Sequence, residues 1–430
     1  MVRQFDLRSS RNHSRPYRKI SSDSSVEIEN LVNAIIRRVQ RQGDDALRYY
    51  SKKFDGAALK SLSVSEREIL SARKNADPKF VRLLTEAGKR IRKFHLHQRR
   101  APWKIGEKFD SDLRQRYLPV DRVGVYVPGG KAAYPSTVLM NVIPAQVAGV
   151  ENIILVSPPD KSGNVNADVL TAAAILGIKK IFRVGGAQAI AALAYGTETV
   201  PAVDVIVGPG NIFVATAKRL LFGQVGIDSV AGPSEIVVLA DDSARADFVA
   251  SDMAAQAEHD ESASSVLVTT SDRLADGVRR ELKNLLLALT RKGVISSSLH
   301  NHGAIYRVKN LQQGAEVVNN LAPEHLEIIT KNNEAVLKKI RNAGSIFLGN
   351  YSPVALGDYF AGPNHVLPTS GTARFFSPLS VDTFMKRSSV INYSRRGMES
   401  VSEKIAHFAE HEGLTAHALS VRLRGRKSGR

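Results

Sequence analysis

From Val123 onward, short runs of β-branched and aliphatic residues alternate with alanine-rich segments of helical character. A parallel sheet requires this order, because a crossover, usually a helix, must separate two parallel strands in the sequence. Strands that are buried on both faces also form continuous apolar runs. The sequence therefore predicts an α/β fold with parallel-type sheets and helices on their faces. The predicted strands include 152–157, 180–184, 203–207, 235–239, 265–269, 326–329 and 345–348.

The strand–helix alternation occurs in two similar runs, which predicts two α/β lobes. The residues before them have apolar side chains at three- and four-residue steps, which is typical of helices. In that region Asp77 followed by Pro78 indicates a helix start. The end of the chain is of mixed polar and helical character, and we expect an arm that packs on another surface, such as a second subunit. The predicted helical region, first lobe, second lobe and C-terminal arm are 1–120, 121–232, 233–375 and 376–430.

The 430 residues include 60 lysines and arginines against 42 acidic residues, which gives a formal net charge of +18. Residues 1–120 hold 28 basic and 14 acidic side chains, whereas residues 121–390 hold 24 of each. A basic flank can attract nucleic acid, but a binding module would interleave its basic residues with aromatic ones. The nearest segment of that kind, 94–97, is a poor match, and we expect no nucleic-acid partner.

The sequence contains no cysteine, which excludes disulfides, thiolate catalysis and cysteine-ligated metal sites. Any metal ion must be bound by histidine, carboxylate or amide oxygen. The arginine-rich start lacks the apolar segment of a secretory signal. The longest apolar stretches, such as 184–195, are shorter than the ~20 residues of a membrane span. We therefore expect a cytoplasmic protein with no membrane partner.

Three glycine turns follow predicted strands, at 128–130, 185–188 and 208–211. Glycine lets a backbone approach a ligand closely, and the start of the following helix favours an anion such as pyrophosphate. None of the turns completes the G-x-G-x-x-G pattern, because Phe213 stands where the third glycine would be. Two interpretations remain open: plain strand-to-helix turns, or a cofactor site outside the carboxyl ends of the strands.

Two polar pairs stand out. Gln256 and His259 lie three residues apart in a helical stretch and so share a face; they could bind one metal ion, or be a surface glutamine and a capping histidine. Glu324 and His325 precede an apolar strand. An adjacent carboxyl and imidazole can handle two protons if their shared pocket separates their pKa values. The alternative for this pair is a loop that faces water.

Carboxylates and imidazoles also occur together towards the end of the chain, as Asp358 with His365 and Glu412 with His417. Because cysteine is absent, a metal site needs nitrogen and oxygen ligands. A chemically sensible set for a zinc-class ion is Gln256, His259, Asp358 and His417.

These residues lie in eight sequence motifs that resemble the histidinol dehydrogenase family, in the order of that family and over nearly the whole chain. The first hundred residues are the least specific part. The motifs are VGVYVPGGKAAYPSTVLMN, VGGAQAIAALAYGTE, VGPGN, AGPSE, QAEH, LAPEHLEI, GDYFAGPNHVLPT and EGLTAHALSVRLR.

The resemblance implies oxidation of L-histidinol to L-histidine, the last step of histidine biosynthesis, with one zinc ion per subunit and two NAD per turnover. It implies that Glu324 and His325 are the acid–base pair and that the first lobe binds NAD through Tyr126, Gln188 and Asn211. The implied metal ligands are Gln256, His259, Asp358 and His417. The implied substrate contacts are Ser234, Gln256, His259, His325, Asp358, His365, Glu412 and His417.

The resemblance also implies an intertwined homodimer with two incomplete Rossmann-like lobes per subunit. The C-terminal dimerisation arm would reach the site of the partner, so that Glu412 and His417 act in trans. The alternative within the same fold is a paralogue that oxidises another small alcohol with the same metal and cofactor. His365 and Glu412 argue against it, because they match the substrate-recognition positions of the family.

Overall fold

The computed structural model describes residues 2–9, 22–106, 110–129 and 134–425, with the backbone alone for residues 22–25. The chain forms two compact units, and each unit combines two stretches of sequence. The first unit is Met1–Gln98 with Asp121–Phe384, and the second is Arg99–Val120 with Met385–Arg430.

The described residues form strands in three sheets. They are β1 (Arg3–Asp6), β2 (Trp103–Ile105), β3 (Ser111–Pro119), β4 (Arg122–Tyr126), β5 (Asn152–Val156), β6 (Lys180–Phe182), β7 (Val205–Val207), β8 (Gly226–Ile227), β9 (Glu235–Ala240), β10 (Ser264–Thr269), β11 (Ala304–Arg307), β12 (His325–Ile329), β13 (Ser345–Leu348) and β14 (Met385–Tyr393).

Helices precede, connect and follow these strands, and a π-helical turn (Ser51–Asp55) follows the first helix. The helices are α1 (Ser22–Tyr50), α2 (Glu66–Asn75), α3 (Pro78–Leu96), α4 (Pro135–Ala148), α5 (Ala167–Ile175), α6 (Gly186–Tyr195), α7 (Ile212–Leu221), α8 (Ala246–Ala257), α9 (Asp272–Ala288), α10 (Lys292–Asn301), α11 (Leu311–Leu321), α12 (Asn333–Leu337), α13 (Val354–Tyr359), α14 (Arg395–His411) and α15 (Thr415–Gly425). No helix of the described residues is both long and apolar enough to cross a membrane.

The first parallel sheet has the strand order β6-β5-β4-β7-β8. Its central residues are β-branched and fully buried, as at Val125, which pairs with Leu155 on one side and Val207 on the other. After β4, the chain adds β5 and β6 on one side of this strand. It then adds β7 and β8 on the other side. In open α/β sheets, ligands bind in a crevice outside the carboxyl ends of the strands where the order reverses in this way, which are β4 and β7 in this sheet.

The second parallel sheet has the order β1-β11-β10-β9-β12-β13. Its direction changes in the same way between β9 and β12. Along β12 the side chains alternate between two apolar clusters: Ile329 packs with Val249 and Met253 of α8, and Leu326 packs on the opposite face. His325 and Glu327 share the α8 side with Ile329, because alternate residues of a strand point to the same face.

The helical region at the start of the chain covers the first sheet. Val32, Ile35 and Val39 of α1 are buried with residues of α6 and α7 in one apolar cluster. The sequence-predicted start of α3 is confirmed: Asp77 caps the helix by accepting a hydrogen bond from the Lys79 N–H, and Pro78 is the first helical residue.

The second compact unit consists of an antiparallel sheet in the order β14-β3-β2 and of helices α14 and α15. Strands β3 and β14 pair along their whole lengths, from Ser111 opposite Tyr393 to Pro119 opposite Met385. Small side chains allow α14 and α15 to approach each other closely, since Ala406, Ala409 and Ala418 are buried together.

The mixed α/β class with parallel sheets is confirmed, and the seven strands predicted from the apolar runs are all present. Six strands of the described residues were not predicted from the sequence: β1, β2, β3, β8, β11 and β14. One of them, β1, pairs with β11 at the edge of the second sheet. Its sequence, RQFD, has neither a β-branched run nor a clear alternation. Pairing with a distant strand, rather than local preference, makes it extended.

Candidate active site

Glu324 and His325 lie at the amino end of β12, beside the start of β9. The Glu235 N–H donates a hydrogen bond to Oε2 of Glu324 over 2.8 Å, and Nδ1 of His325 lies 3.0 Å from the Glu235 carbonyl oxygen. Both side chains are buried, and His325 Nδ1 is 3.6 Å from Glu324 Oε2. One residue of the neighbouring strand thus positions the carboxyl and the imidazole through its two backbone polar groups.

The environment moves the pKa values of this pair in opposite directions. Burial raises the pKa of Glu324 well above its usual value, and the nearby charges of Glu235 and Asp358 add to this effect, while the Glu235 N–H opposes it. Burial lowers the pKa of His325 to about 4. His325 is therefore neutral at physiological pH. A carbonyl can only accept, so Nδ1 carries the proton and Nε2 is left as the acceptor.

Asp358 lies near the end of the short helix α13, and His365 follows in the next loop. The backbone carbonyl of Asp358 accepts a hydrogen bond from His365 Nδ1 over 3.1 Å. Burial raises the pKa of Asp358 to about 6 and lowers the pKa of His365 to about 4. This part of the site therefore presents a carboxyl and a second neutral imidazole.

Gln256 lies in α8, but His259 lies two residues beyond the end of that helix, so the predicted shared helical face does not form. Gln256 is buried in the last turn, Glu258 follows as the C-cap, and the His259 N–H bonds to the Gln256 carbonyl over 3.3 Å. The surface of His259 is open to solvent, yet the surrounding atoms lower the pKa of its imidazole by desolvation. Its charge also lowers the pKa values of His325 and His365. The three imidazoles therefore lie close enough to interact electrostatically. Ser234 lies half-buried just before β9.

The other two predicted site residues belong to the second compact unit. Glu412 ends α14, His417 lies in the first turns of α15, and both are exposed. The structure therefore brings Glu324, His325 and the predicted ligands of the first unit into one region. Glu412 and His417 are not part of that unit.

The donor chemistry of the first unit fits a zinc-class ion. A buried carboxyl with a raised pKa gains from a nearby cation, and neutral imidazoles are good ligands for such ions. Among the residues that the structure describes, no three histidine, aspartate or glutamate side chains are grouped to hold a metal ion. Of the predicted ligands in this unit, only His259 and Asp358 are of those types, because the third is Gln256.

A second candidate site lies in the crevice at the carboxyl ends of β4 and β7. A Cβ atom at Gly208, whose φ is +110°, would lie 2.1 Å from the Tyr126 carbonyl oxygen, so only glycine fits beside this strand end. Gly129 and Gly185 both pack against Pro158 in the same way. The three predicted glycine turns therefore meet at one place, although Gly130 itself lies outside the described residues.

The three predicted NAD contacts in this crevice differ from one another in their hydrogen bonds. The Tyr126 hydroxyl accepts a hydrogen bond from the Gly186 N–H over 3.2 Å, and burial raises the pKa of Tyr126 to about 12. Gln188 is buried, and its Oε1 has no hydrogen-bond partner among the described residues. Asn211 caps α7 through hydrogen bonds from Phe213 N and Val214 N. This buried amide oxygen is free to accept a hydrogen bond from a ligand, which fits NAD.

Sequence reasoning missed the ion pair that supports this crevice. Lys218 and Asp228 are both buried and form a salt bridge. Lys218 Nζ donates to the Gly208 carbonyl over 3.0 Å, and the Gly208 N–H donates to Asp228 over 2.8 Å. An apolar helical pattern with a lysine in it gives no signal that the amine is buried, because lysine usually reaches water.

A buried carboxyl–imidazole pair at one parallel sheet and a cluster of glycine turns at the other are features typical of an α/β enzyme. The family model described as histidinol dehydrogenase matches residues 18–425. The histidinol dehydrogenase of Halalkalibacterium halodurans is 54% identical over 396 residues, covering 92% of this chain and 93% of that protein. That of Bacillus subtilis is 52% identical over 410 residues, covering 95% and 96%. The solved histidinol dehydrogenase of Elizabethkingia anophelis superposes with a TM-score of 0.92 at 36% identity, covering 98% of each chain.

The chain belongs to the histidinol dehydrogenase family, and it is an oxidoreductase. This membership confirms the resemblance that the eight motifs predicted. The roles of the individual site residues stay predictions.

Proposed function

We propose that the protein oxidises L-histidinol to L-histidine, the last step of histidine biosynthesis, in two steps through L-histidinaldehyde. The observation that carries this proposal is the buried, neutral His325 beside Glu324 in a chain whose relatives are named histidinol dehydrogenase. The reaction converts one alcohol, one water and two NAD⁺ into one carboxylate, two NADH and three protons. Each step transfers one hydride and must also dispose of protons.

The reaction needs NAD and zinc, and the predicted binding residues form one set for each of them. NAD would lie in the glycine-lined crevice with Tyr126, Gln188 and Asn211, and zinc would be bound by Gln256, His259 and Asp358 together with His417. When bound, NAD accepts the hydride and zinc orients the substrate as a Lewis acid. The side chains of the protein handle the protons.

His325 is the base for the alcohol. Its Nε2 is unprotonated at neutral pH, so it can accept the hydroxyl proton as the hydride leaves the carbinol carbon. The imidazolium that results is stabilised by the Glu235 carbonyl and by the Glu324 carboxyl 3.6 Å away.

Glu324 activates the water that adds to the aldehyde. A carboxyl whose pKa is raised by burial is a stronger base, once ionised, than an exposed one. The Glu235 N–H keeps the carboxyl oriented, which limits the loss of entropy on reaching the reactive geometry. The hydrated aldehyde then loses the second hydride and becomes the carboxylate.

The substrate contacts of this proposal are Ser234 and His365 in the first unit and Glu412 in the second. Glu412 would accept a hydrogen bond from the imidazole of the substrate. We further propose an intertwined homodimer in which Glu412 and His417 complete the site of the partner subunit. The supporting feature is the exposure of both residues on α14 and α15.

The reaction is tested by measuring how many NADH molecules form for each L-histidinol molecule consumed at neutral pH. The measurement is made before and after a chelator removes the metal. We expect a ratio near two, loss of activity on chelation and recovery with zinc. A ratio near one, or activity that is indifferent to the chelator, would contradict the two-step zinc-dependent reaction.

The test of the shared site is subunit complementation. His325→Asn and His417→Ala variants, each inactive alone, are unfolded together and refolded as mixed dimers. If His417 acts in trans, one site of each mixed dimer is intact and activity returns to about a quarter of the wild-type level. Activity that stays absent would place both residues in the same subunit's site.

The alternative paralogue is tested by competition among substrates. Other small amino alcohols that lack the imidazole should be oxidised far more slowly than L-histidinol, because a buried polar group that loses its partner rejects the analogue. Preference for another alcohol would favour the paralogue.

A further inference from the structure

Two buried carboxyl groups near the candidate metal site have no part in the proposed reaction. Glu327 lies in β12, two residues after His325, and is 2% exposed. Asp252 lies in α8 and is half-buried. The carboxyl groups of Asp252 and Glu327 lie within hydrogen-bonding reach of each other. Two carboxylates cannot form a hydrogen bond with each other, because both have only acceptors, so a bond between them requires one proton.

The deeper burial of Glu327 favours it as the holder of this proton. Burial raises the pKa of Glu327 well above its usual value, and the charge of Asp252 raises it further, whereas the pKa of Asp252 rises only to about 6. Oε2 of Glu327 receives no N–H or O–H donor from the described residues. The neutral Glu327 hydroxyl can therefore donate to the Asp252 carboxylate at neutral pH.

The other oxygen of Glu327 binds a different helix. Oε1 accepts a hydrogen bond from the Val354 N–H over 3.2 Å, and Val354 is the first residue of α13. One side chain of β12 therefore interacts both with α8 and with α13. The same face of the sheet buries Val354 with Val249 and Met253 of α8.

In both helices, the residue that interacts with Glu327 precedes a candidate metal ligand by the same number of residues. Gln256 lies four residues after Asp252 in α8, and Asp358 lies four residues after Val354 in α13. Four residues of a helix span about 6 Å, roughly one turn. A shift of either helix at Glu327 would consequently move a candidate ligand by a similar distance.

We propose that Glu327 is a positioning residue, which sets the spacing of Gln256 and Asp358 by bonding to Asp252 of α8 and to the first N–H of α13. This inference rests on the proposed zinc site. Residues that orient metal ligands from behind typically contribute 10–100-fold to metal affinity.

The experiment measures zinc affinity of the metal-free full chain by competition with a chromophoric chelator. Glu327→Leu removes both bonds and should weaken zinc binding about 10–100-fold. Glu327→Gln keeps both, since its amide can donate to Asp252 while its oxygen accepts from Val354, and should stay within about threefold of wild type. Asp252→Ala removes one bond and should fall between them. This rescue by the conservative variant distinguishes positioning from loss of volume.

A matched control removes another buried carboxylate that is distant from Glu327 in the sequence. Asp44 accepts hydrogen bonds from Thr197 and Thr199 and has no predicted role in the site. Asp44→Ala should lower the unfolding temperature but leave zinc affinity unchanged.

Two results would separate the possible failures. If wild-type protein binds zinc while Glu327→Leu is destabilised like Asp44→Ala without a change in zinc affinity, the positioning role is wrong. If the wild-type protein itself binds no zinc, the proposed function fails instead. Should Glu327→Leu not fold, Asp252→Ala and Glu327→Gln still decide the outcome.

Discussion

Nδ1 of His325 lies 3.0 Å from the carbonyl oxygen of Glu235, and this contact fixes the tautomer of a buried imidazole. Because the pKa of His325 is lowered to about 4, the ring is ready to accept a proton at Nε2 throughout the neutral range. The same Glu235 peptide group orients Glu324, so the backbone of β9 preorganises both members of the pair.

Replacing His325 by asparagine should remove the base while an amide still bonds to the Glu235 carbonyl. We expect turnover to fall by roughly 10²–10⁴-fold, the usual contribution of a general base. Zinc content should not change, because His325 is outside the predicted ligand set. Steady-state rates with L-histidinol and metal analysis of the purified variant test this expectation, and loss of zinc would show that His325 has another role.

Replacing Lys218 by methionine should break the buried ion pair and leave Asp228 without its cation. We expect the free energy of unfolding to fall by about 3–5 kcal/mol, because the remaining charge is buried. Lys331→Met is the matched control, since Lys331 and Asp242 form an exposed pair, for which the change should be about 0–1 kcal/mol. Urea denaturation of both variants measures the difference, and equal losses would mean that the Lys218 pair is not buried in solution.

A comparison of Gly208→Ala with Gly223→Ala distinguishes the cost of backbone strain from the cost of a steric clash of the added Cβ atom. Both glycines have positive φ, +110° and +103°, but a Cβ at Gly208 meets the Tyr126 carbonyl whereas nothing lies within 4 Å of one at Gly223. We expect Gly208→Ala to be less stable than Gly223→Ala by on the order of 1–3 kcal/mol. Gly208→Ala should also raise the KM for NAD without a matching rise in that for L-histidinol. Similar behaviour of both variants would contradict the close approach.

Asp55→Asn tests a buried carboxyl in the π-helical turn. Burial raises the pKa of Asp55 from 3.8 to about 6, and its Oδ2 has no hydrogen-bond partner among the described residues. The folded protein therefore binds this proton more tightly than the unfolded chain. Its stabilising effect is full below pH ~4 and is lost as the pH rises through about 6.

Asparagine at this position does not titrate, so above pH ~7 the variant should be the more stable protein, by on the order of 1–3 kcal/mol. Denaturation of both proteins between pH 4 and pH 8 gives the difference in free energy of unfolding as a function of pH. A difference that does not depend on pH would show that Asp55 keeps an ordinary pKa.

Local sequence patterns were sufficient for most strands of the two parallel sheets and for the motifs of the site. Strand β12 follows from a short apolar run, and the start of α3 follows from Asp77 and Pro78, since both signals lie within a few residues. The glycine turns left open a ligand site at the carboxyl ends of the first sheet, where Oε1 of Gln188 has no partner among the residues that the structure describes.

Contacts between distant residues could not be predicted in this way. Glu235 is 89 residues from Glu324, and only the pairing of β9 with β12 brings them together. The acid–base pair also lies at the amino ends of these strands, opposite to the edge at which open α/β sheets usually bind ligands. Strand β1 shows the same limit, because its extended form depends on β11.

The pairing of β3 with β14 has a consequence for how the chain is made. Every hydrogen bond between these strands joins the region before β4 to the residues from Met385 to Tyr393. During synthesis, β3 leaves the ribosome long before its partner exists, while both parallel sheets can already form. The second compact unit therefore completes last, and a stalled or shortened nascent chain exposes β3 as an unpaired edge, which favours aggregation.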